Sequence, residues 1–339
     1  MLKKKTAWLS LLLVLGLVAA ACGDGDDTAT DDGGSSEAGT VEISGSSTVA
    51  PISTRVAELF ADVSPDVVVN VDGPGTGDGF VLFCEGTTDI SDASRAIKAE
   101  EAQACEDAGI EFIEIKVAID GLSVITSDAN DAVECLTFAD LYALVGPESQ
   151  GVDNWDDAEA LAKELGSTTD LPDADLTVSA PGEESGTYDS FVELVIEEFN
   201  EDRGAEAQTR PDYQSSSDDN VIIQGIQGSD TSLGWVGFAF AEEAEGVKEI
   251  EIDGGEGCVA PTADTIASGE YPIARDLYIY VNAARAEENP AVAEYVDFYL
   301  SDEGIASVPE VGYVSLATEA LAEARQVWDA REVGTRDGG

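Results

Sequence analysis

Short β-branched runs alternate with stretches of helical periodicity along nearly the whole chain, and that alternation decides the class of fold. Strands are expected at 41–44, 67–72, 110–117, 121–126, 175–179, 232–236 and 277–281. Ile52, Val56, Leu59, Phe60 and Val63 recur at helical spacing, as do Phe191, Val192, Val195, Ile196 and Phe199. Each set lines one face of a helix, which predicts helices over 52–63 and 188–199. Weaker helical patterns cover 137–145, 221–226 and 291–300. Strands and helices in such series pack as α/β layers around mainly parallel sheets. There is no repeat of fixed period. Pro and Gly clusters mark turns rather than one clean linker, as expected of lobes joined by more than one passage of the chain.

The first residues speak to the compartment. Lys3, Lys4 and Lys5 precede an apolar run from Ala7 to Ala21 that is too short for a comfortable membrane span. Small residues Ala19, Ala20 and Ala21 then lead into Cys22, the layout of a secretory signal peptide over 1–21. A slightly short anchor helix is the alternative. Cys22 falls where a bacterial lipobox places its lipidated cysteine, although Val18-Ala19-Ala20-Ala21 lacks the leucine usual three residues before it. The five cysteines support lipidation, because using Cys22 leaves an even set for an oxidising compartment. Cys84, Cys105, Cys135 and Cys258 admit three pairings. Cys84–Cys105 with Cys135–Cys258 is the expected one, since the first two are close in sequence. Residues 22–40 hold no large apolar side chain and read as a flexible acidic tether.

Net charge is −54, with 16 Lys plus Arg against 70 Asp plus Glu. Loss of residues 1–21 would remove three lysines and no acid, deepening the imbalance. No basic stripe exists to neutralise a nucleic-acid backbone, so nucleic acid is not expected as a partner. An anionic ligand would meet a repulsive mean field. It would have to be captured by local dipoles and one or two buried cations.

Three strand-to-helix turns offer such dipoles. They are Ser44-Gly45-Ser46-Ser47-Thr48-Val49-Ala50-Pro51, Gly73-Pro74-Gly75-Thr76-Gly77-Asp78-Gly79-Phe80, and Pro181-Gly182-Glu183-Glu184-Ser185-Gly186-Thr187. The first N–H groups of a helix lack intrahelical partners and the macrodipole makes that end positive. Glycine lets backbone approach a ligand, and Ser or Thr adds a donor, so each turn could bind an anion without net positive charge. Taken singly, each is better explained as an ordinary N-cap, worth about 1 kcal/mol. Three together point to a shared oxyanion site. Arg95, after Ala93-Ser94, is one of only nine arginines and supplies a donor fork suited to tetrahedral oxyanions.

These stretches, with Asp89-Ile90-Ser91-Asp92-Ala93-Ser94-Arg95, Ser185-Gly186-Thr187-Tyr188-Asp189-Ser190-Phe191, Asp218-Asp219-Asn220-Val221 and Gly234-Trp235-Val236-Gly237, resemble the phosphate-binding proteins of the Pst ABC transporter. The likeness runs in order from about Val41 to Val281. It implies a two-lobed α/β periplasmic-binding-protein-like fold of type II, with the ligand in the cleft between lobes. The lobes would be 41–122 with 277–339, and 123–276, crossing near 120–123 and 275–278. It implies inorganic phosphate as ligand, held by Ser47, Thr48, Val49, Thr76, Gly77, Ser94, Arg95, Ser185, Gly186 and Thr187. Many members carry an acidic proton acceptor where this chain has Ser94-Arg95, and an arginine before Ser-Gly-Thr where it has Pro181-Gly182-Glu183-Glu184. The charges are exchanged, as in a Ser-Arg branch of the family, and Glu184 becomes the expected acceptor, with Glu183 second. The resemblance also implies ABC permease subunits as partners, which would recognise the closed, liganded form. The protein would be a monomer attached to the outer face of a cell membrane, or in a periplasm, through its lipid alone.

Other classes fare less well. The chain has no histidine, which removes Ser-His-Asp and Cys-His chemistry and histidine metal sites. Ser185 is not in a nucleophile elbow, because Glu183 stands where the first glycine belongs. Residues 73–79 fit neither the dinucleotide fingerprint nor a Walker loop. Neither enzyme activity, cofactor nor metal is expected. A binding protein for sulfate, molybdate or arsenate would share the fold, and an adhesin or scaffold would share the anchor but leave the three turns unexplained. Tyr188, Trp235, Phe238 and Tyr278 could line a cleft, though core packing is the expected role for most of them.

Overall fold

The computed structural model describes residues 39–336; the expected signal segment, Cys22 and nearly all of the tether lie outside them. Twelve strands are described: β1 Gly39–Gly45, β2 Val67–Asp72, β3 Ile90–Ala93, β4 Phe112–Ser127, β5 Cys135–Thr137, β6 Thr177–Ala180, β7 Gln214–Ser215, β8 Ser232–Gly237, β9 Val247–Glu249, β10 Glu251–Asp253, β11 Cys258–Val259 and β12 Ala274–Asn282. The large sheet runs β2-β1-β3-β12-β4-β8-β6-β7, with β9 beside β4, and a small sheet runs β11-β10-β5.

Two strands organise the large sheet. β4 pairs with β12 through Gly121 and with β8 from Leu122 onward, so its 16 residues serve two halves of the sheet in turn. The flanks are parallel, β1 with β2 and β3 on one side and β6 with β7 and β8 on the other. The centre is antiparallel, because β12 runs against both β3 and β4. This differs from the mainly parallel sheet expected from strand–helix alternation. The difference arises where long strands pass between halves without an intervening helix.

Helices cover the parallel flanks as their apolar spacing requires. In α1, Ala50–Val63, the buried positions Ile52, Ser53, Val56 and Phe60 share one face, and the apolar members join the same core as Val41 and Ile43 of β1. Each such apolar side chain contributes roughly 1.5–3 kcal/mol when fully buried. α2 spans Thr76–Cys84. The helical pattern expected over 188–199 becomes a longer run, Gly186–Phe191, then a π-helical turn at Val192–Ile196, then Glu197–Arg203. Tyr188, Trp235, Phe238 and Tyr278 are all buried, and Trp235 stacks on Phe191 at 4.0 Å. Disulfides join Cys84 to Cys105, tying α2 to the helix Ala99–Ala108, and Cys135 to Cys258, tying β5 to β11.

One glycine contact welds the first two turns together. A Cβ on Gly79, inside α2, would lie 2.4 Å from the Gly45 Cα and 3.0 Å from the Ser44 carbonyl oxygen. Alanine is ordinarily favoured over glycine in a helix by about 1 kcal/mol. Here the added methyl meets backbone that cannot swing aside. Gly79→Ala is therefore expected to destabilise by roughly 2 kcal/mol. An unchanged urea midpoint would refute this account of the contact.

Candidate functional site

The first turn ends β1 and opens α1. Ser46 anchors it by donating its N–H to the Asp92 carbonyl at 2.8 Å, while its hydroxyl accepts from the N–H groups of Thr48 (3.1 Å) and Val49 (3.4 Å). Thr48 and Val49 are buried and Ser47 is half-buried. The second turn packs directly on the first, since a Cβ on Gly73 would stand 3.2 Å from the Ser47 Cα. Gly75 donates to the Gly45 carbonyl at 2.8 Å and adopts φ 116°, a left-handed region that favours glycine. Thr76 and Ser94 share a hydroxyl–hydroxyl bond of 2.9 Å, and the Ser94 N–H donates to Thr76 at 3.2 Å. Gly77 beside them is exposed, with open space around it.

The third turn faces the first. Ser185 caps the helix Gly186–Phe191 by accepting from the Thr187 N–H at 3.3 Å. A Cβ on Gly186 would lie 3.4 Å from the Thr48 Cα and 3.5 Å from the Ser47 carbonyl oxygen. One helical turn further, Asp189 accepts from the Ser47 hydroxyl at 3.1 Å. Burial pushes the Asp189 carboxyl above its ordinary range, and the Ser47 bond opposes that rise. Residues 142 positions apart thus meet where two helix N-termini converge.

Arg95 is placed differently from Thr48. Its fork is bound at both ends to Glu101, at 2.8 Å each, and its guanidinium lies 5.7 Å from the Phe80 ring centre. Arg95 and Ser94 border a cavity of about 540 Å³ whose other walls include Lys98, Glu193, Arg275 and Tyr278. Glu183 and Glu184 are both exposed. They border a separate cavity with Arg210 and Tyr213. The burial expected of Glu184 as a proton acceptor is therefore absent from this arrangement. Glu184 lies within a tight turn closed by the Ser185 N–H to Gly182 carbonyl bond of 2.9 Å, and its carboxylate folds back over that turn, where a Cβ on Gly182 would stand 2.5 Å from Oε2.

Sequence reasoning missed the cation at the joined turns. Arg275 of β12 places Nη2 3.1 Å from the Thr48 hydroxyl oxygen and 2.5 Å from that of Ser190, and Nε 3.3 Å from Asp120. Its Nη1 pairs with Glu193. The Arg275 side chain is 9 % exposed and that of Asp120 only 4 %, so this is a buried cation in a strongly acidic protein. The scarcity of arginine was the one signal available, and it drew attention to Arg95 instead.

Among the described residues, no helix is long and apolar enough to cross a membrane, and no cluster of acidic and cysteine side chains is placed to hold a metal ion. A family model described as a PBP superfamily domain matches residues 30–303. The chain is 36 % identical to the protein SphX of Synechocystis over 302 residues, covering 88 % of this chain and 85 % of SphX. It is 33 % identical to the phosphate-binding protein PstS of Staphylococcus saprophyticus over 92 % of this chain and 90 % of the relative. Its fold matches the crystal structure of a possible phosphate binding protein from Planctomyces limnophilus with a TM-score of 0.76 and 36 % identity, over 87 % of this chain and 99 % of that one. With convergent helix N-termini at its site and relatives of this closeness along almost its full length, the chain belongs to the PBP superfamily, in the family that includes SphX and PstS.

Proposed function

We propose that this protein captures inorganic phosphate outside the cytoplasm and delivers it to an ABC importer, as a binding protein and not an enzyme. The observation that carries the reading is the meeting of the first and third turns, where a Cβ on Gly186 would come within 3.4 Å of the Thr48 Cα and Ser47 donates to Asp189. Two helix N-termini then converge, and the Thr76–Ser94 pair belongs to the second turn, which packs on the first, so all three turns offer donors from one region. Ser47, Thr48, Val49, Thr76, Ser94, Ser185, Gly186 and Thr187 belong to this set, with Gly77 and Arg95 at its edge. The relatives named phosphate-binding protein favour phosphate over other oxyanions.

In this reading the two halves of the sheet are lobes, 41–122 with 277–339 and 123–276, that close on the ligand. The importer's permease subunits recognise the closed form. Cys22 carries the lipid that holds a monomer at the outer face of the membrane, and residues 22–40 are its tether.

Discrimination against sulfate follows from protons. Phosphate near neutral pH keeps one proton and sulfate has none, so a buried carboxylate gains a hydrogen bond from the first and meets only lone pairs on the second. Glu184, exposed, is poorly placed for that role, and Asp189, half-buried against Ser47, is better placed. Calorimetric titration at pH 8 is expected to show one phosphate bound per chain and no sulfate heat. Glu184→Gln should leave both results unchanged, whereas Asp189→Asn should let sulfate bind. Sulfate binding by the wild type would overturn the phosphate reading. Loss of sulfate rejection in Glu184→Gln would restore Glu184 as the acceptor.

A further inference from the structure

The joined turns contain one charge contact that the capture of an anion does not by itself require. Arg275 is held on its inner side by rigid partners. Asp120 lies directly opposite it in the β4–β12 register, and Ser190 donates to Asp120 at 2.6 Å while accepting from Arg275. These contacts fix the plane of the guanidinium. Its outer side differs. Nη1 meets Glu193, whose side chain is 47 % exposed, and Nη2 meets the hydroxyl of Thr48 in the first turn. Glu193 sits in the π-helical turn, Val192–Ile196, that directly follows the helix capped by Ser185.

We propose that Arg275 is the cation that receives the oxygens of the bound anion, and that Glu193 is an internal carboxylate that holds this place until the anion displaces it. The proposal rests on the phosphate reading above and names two further residues of that same site. A guanidinium presents paired donors that match a carboxylate and a phosphate equally well, so either can occupy its outer edge. A half-exposed ion pair gains little net free energy, because water competes for both charges. Glu193 can therefore leave at small cost, while Asp120 cannot. Once Glu193 swings into solvent, Nη1 and Nη2 face the turn that carries Thr48.

The arrangement also answers the electrostatic problem set by the sequence. With net charge −54, an incoming dianion is repelled by the molecule as a whole. Asp120 already balances the Arg275 charge when the site is empty, so what remains to be satisfied is the outer edge of the fork. Glu193 fills that outer edge in the empty state and then sets a threshold, since the ligand must out-compete a tethered carboxylate. Weak monovalent anions fail this test more readily than a phosphate dianion with its several acceptor oxygens.

The test is calorimetric titration of inorganic phosphate into the wild type and three variants, with melting temperature followed for each. Arg275→Lys keeps the charge but loses the fork, and is expected to bind about tenfold more weakly. Arg275→Met should lose roughly a hundredfold. Glu193→Gln removes the competitor from a half-exposed position, and should tighten phosphate binding by about threefold while the melting temperature stays near wild type. The glutamine variant keeps the proposal open to refutation even if the arginine variants fail to fold. Wild-type affinity in Arg275→Lys, or unchanged or weaker binding in Glu193→Gln, overturns the inference and leaves the phosphate reading standing. Absence of phosphate binding by the wild type overturns both.

Discussion

An Asp92→Asn protein will be more stable than the wild type at pH 8 and will lose that advantage by pH 4. Asp92 is the third residue of β3 and is fully buried beneath the first turn. Its Oδ1 accepts from the Ser53 hydroxyl at 2.9 Å, but its Oδ2 meets no hydrogen-bond partner among the described residues. Burial pushes this carboxyl up to about 7, and the single Ser53 bond is too weak to hold it down. The folded chain therefore binds a proton at Asp92 more tightly than the unfolded chain does. Stability from that group is fully present below about pH 3.8 and is lost as pH rises through about 7. Each tenfold in proton affinity is worth about 1.4 kcal/mol, so the loss by pH 8 is on the order of 4 kcal/mol. An asparagine accepts the same Ser53 bond and carries no charge at any pH. Its unpartnered amide donor takes back about 1–2 kcal/mol at every pH. The difference between pH 4 and pH 8 is thus the diagnostic quantity, and other titrating groups cancel from it. Thermal melts of both proteins at the two pH values read it directly; a mutant-minus-wild-type gap of equal size at both would remove Asp92 as a pH-sensitive group.

Asp92 also shows why some of the fold was hidden in the sequence. Ile90-Ser91-Asp92-Ala93 has no alternation of polar and apolar residues, because all four side chains of β3 are buried on both faces. Period-two reasoning finds only strands with one wet face. By contrast, β2 was legible at its full length, Val67–Asp72, as an edge strand with half its side chains toward water. The approach to Gly121 misled in another way. Residues 118–120 read as a gap between strands at 110–117 and 121–126, yet β4 runs unbroken through them, and a Cβ on Gly121 would press to 2.7 Å on Ile266. The glycine answers to packing there and ends nothing.

The site divides along the same line. The three turns were legible because cap residues and glycines are local signals, and the same holds for the disulfide between Cys84 and Cys105, 21 residues apart. Arg275 was not legible as a site residue. Its place beside Thr48 depends on a strand register that aligns it with Asp120, 155 positions away, and on a helix from the other half of the sheet. Glu184 is singled out by its adjacency to Ser185 in sequence, and its surroundings could not be read there: the carboxylate is exposed, folds back over Gly182 and borders a cavity with Arg210 and Tyr213.

The buried pair at the crossing carries the other large expectation. Asp120→Ala should cost roughly 3–5 kcal/mol, because it strands a buried cation and leaves the Ser190 hydroxyl without its carboxylate acceptor. Glu193, half exposed, offsets little of this. The penalty belongs to the unpaired charge and not to the attraction that the pair supplies in the wild type. Removing both partners should therefore restore much of the loss, and Asp120→Ala with Arg275→Met should be less destabilised than Asp120→Ala alone. Two-state urea unfolding of the four proteins closes the cycle. A coupling of 2 kcal/mol or more, flagged by the double variant's recovery, is expected for groups in direct contact; coupling energies of about 0.5–3 kcal/mol are usual for such neighbours. If the two substitutions instead simply add, β4 and β12 are held at their crossing by backbone pairing alone, and Arg275 is free of the rigid seat on which its role toward the anion depends.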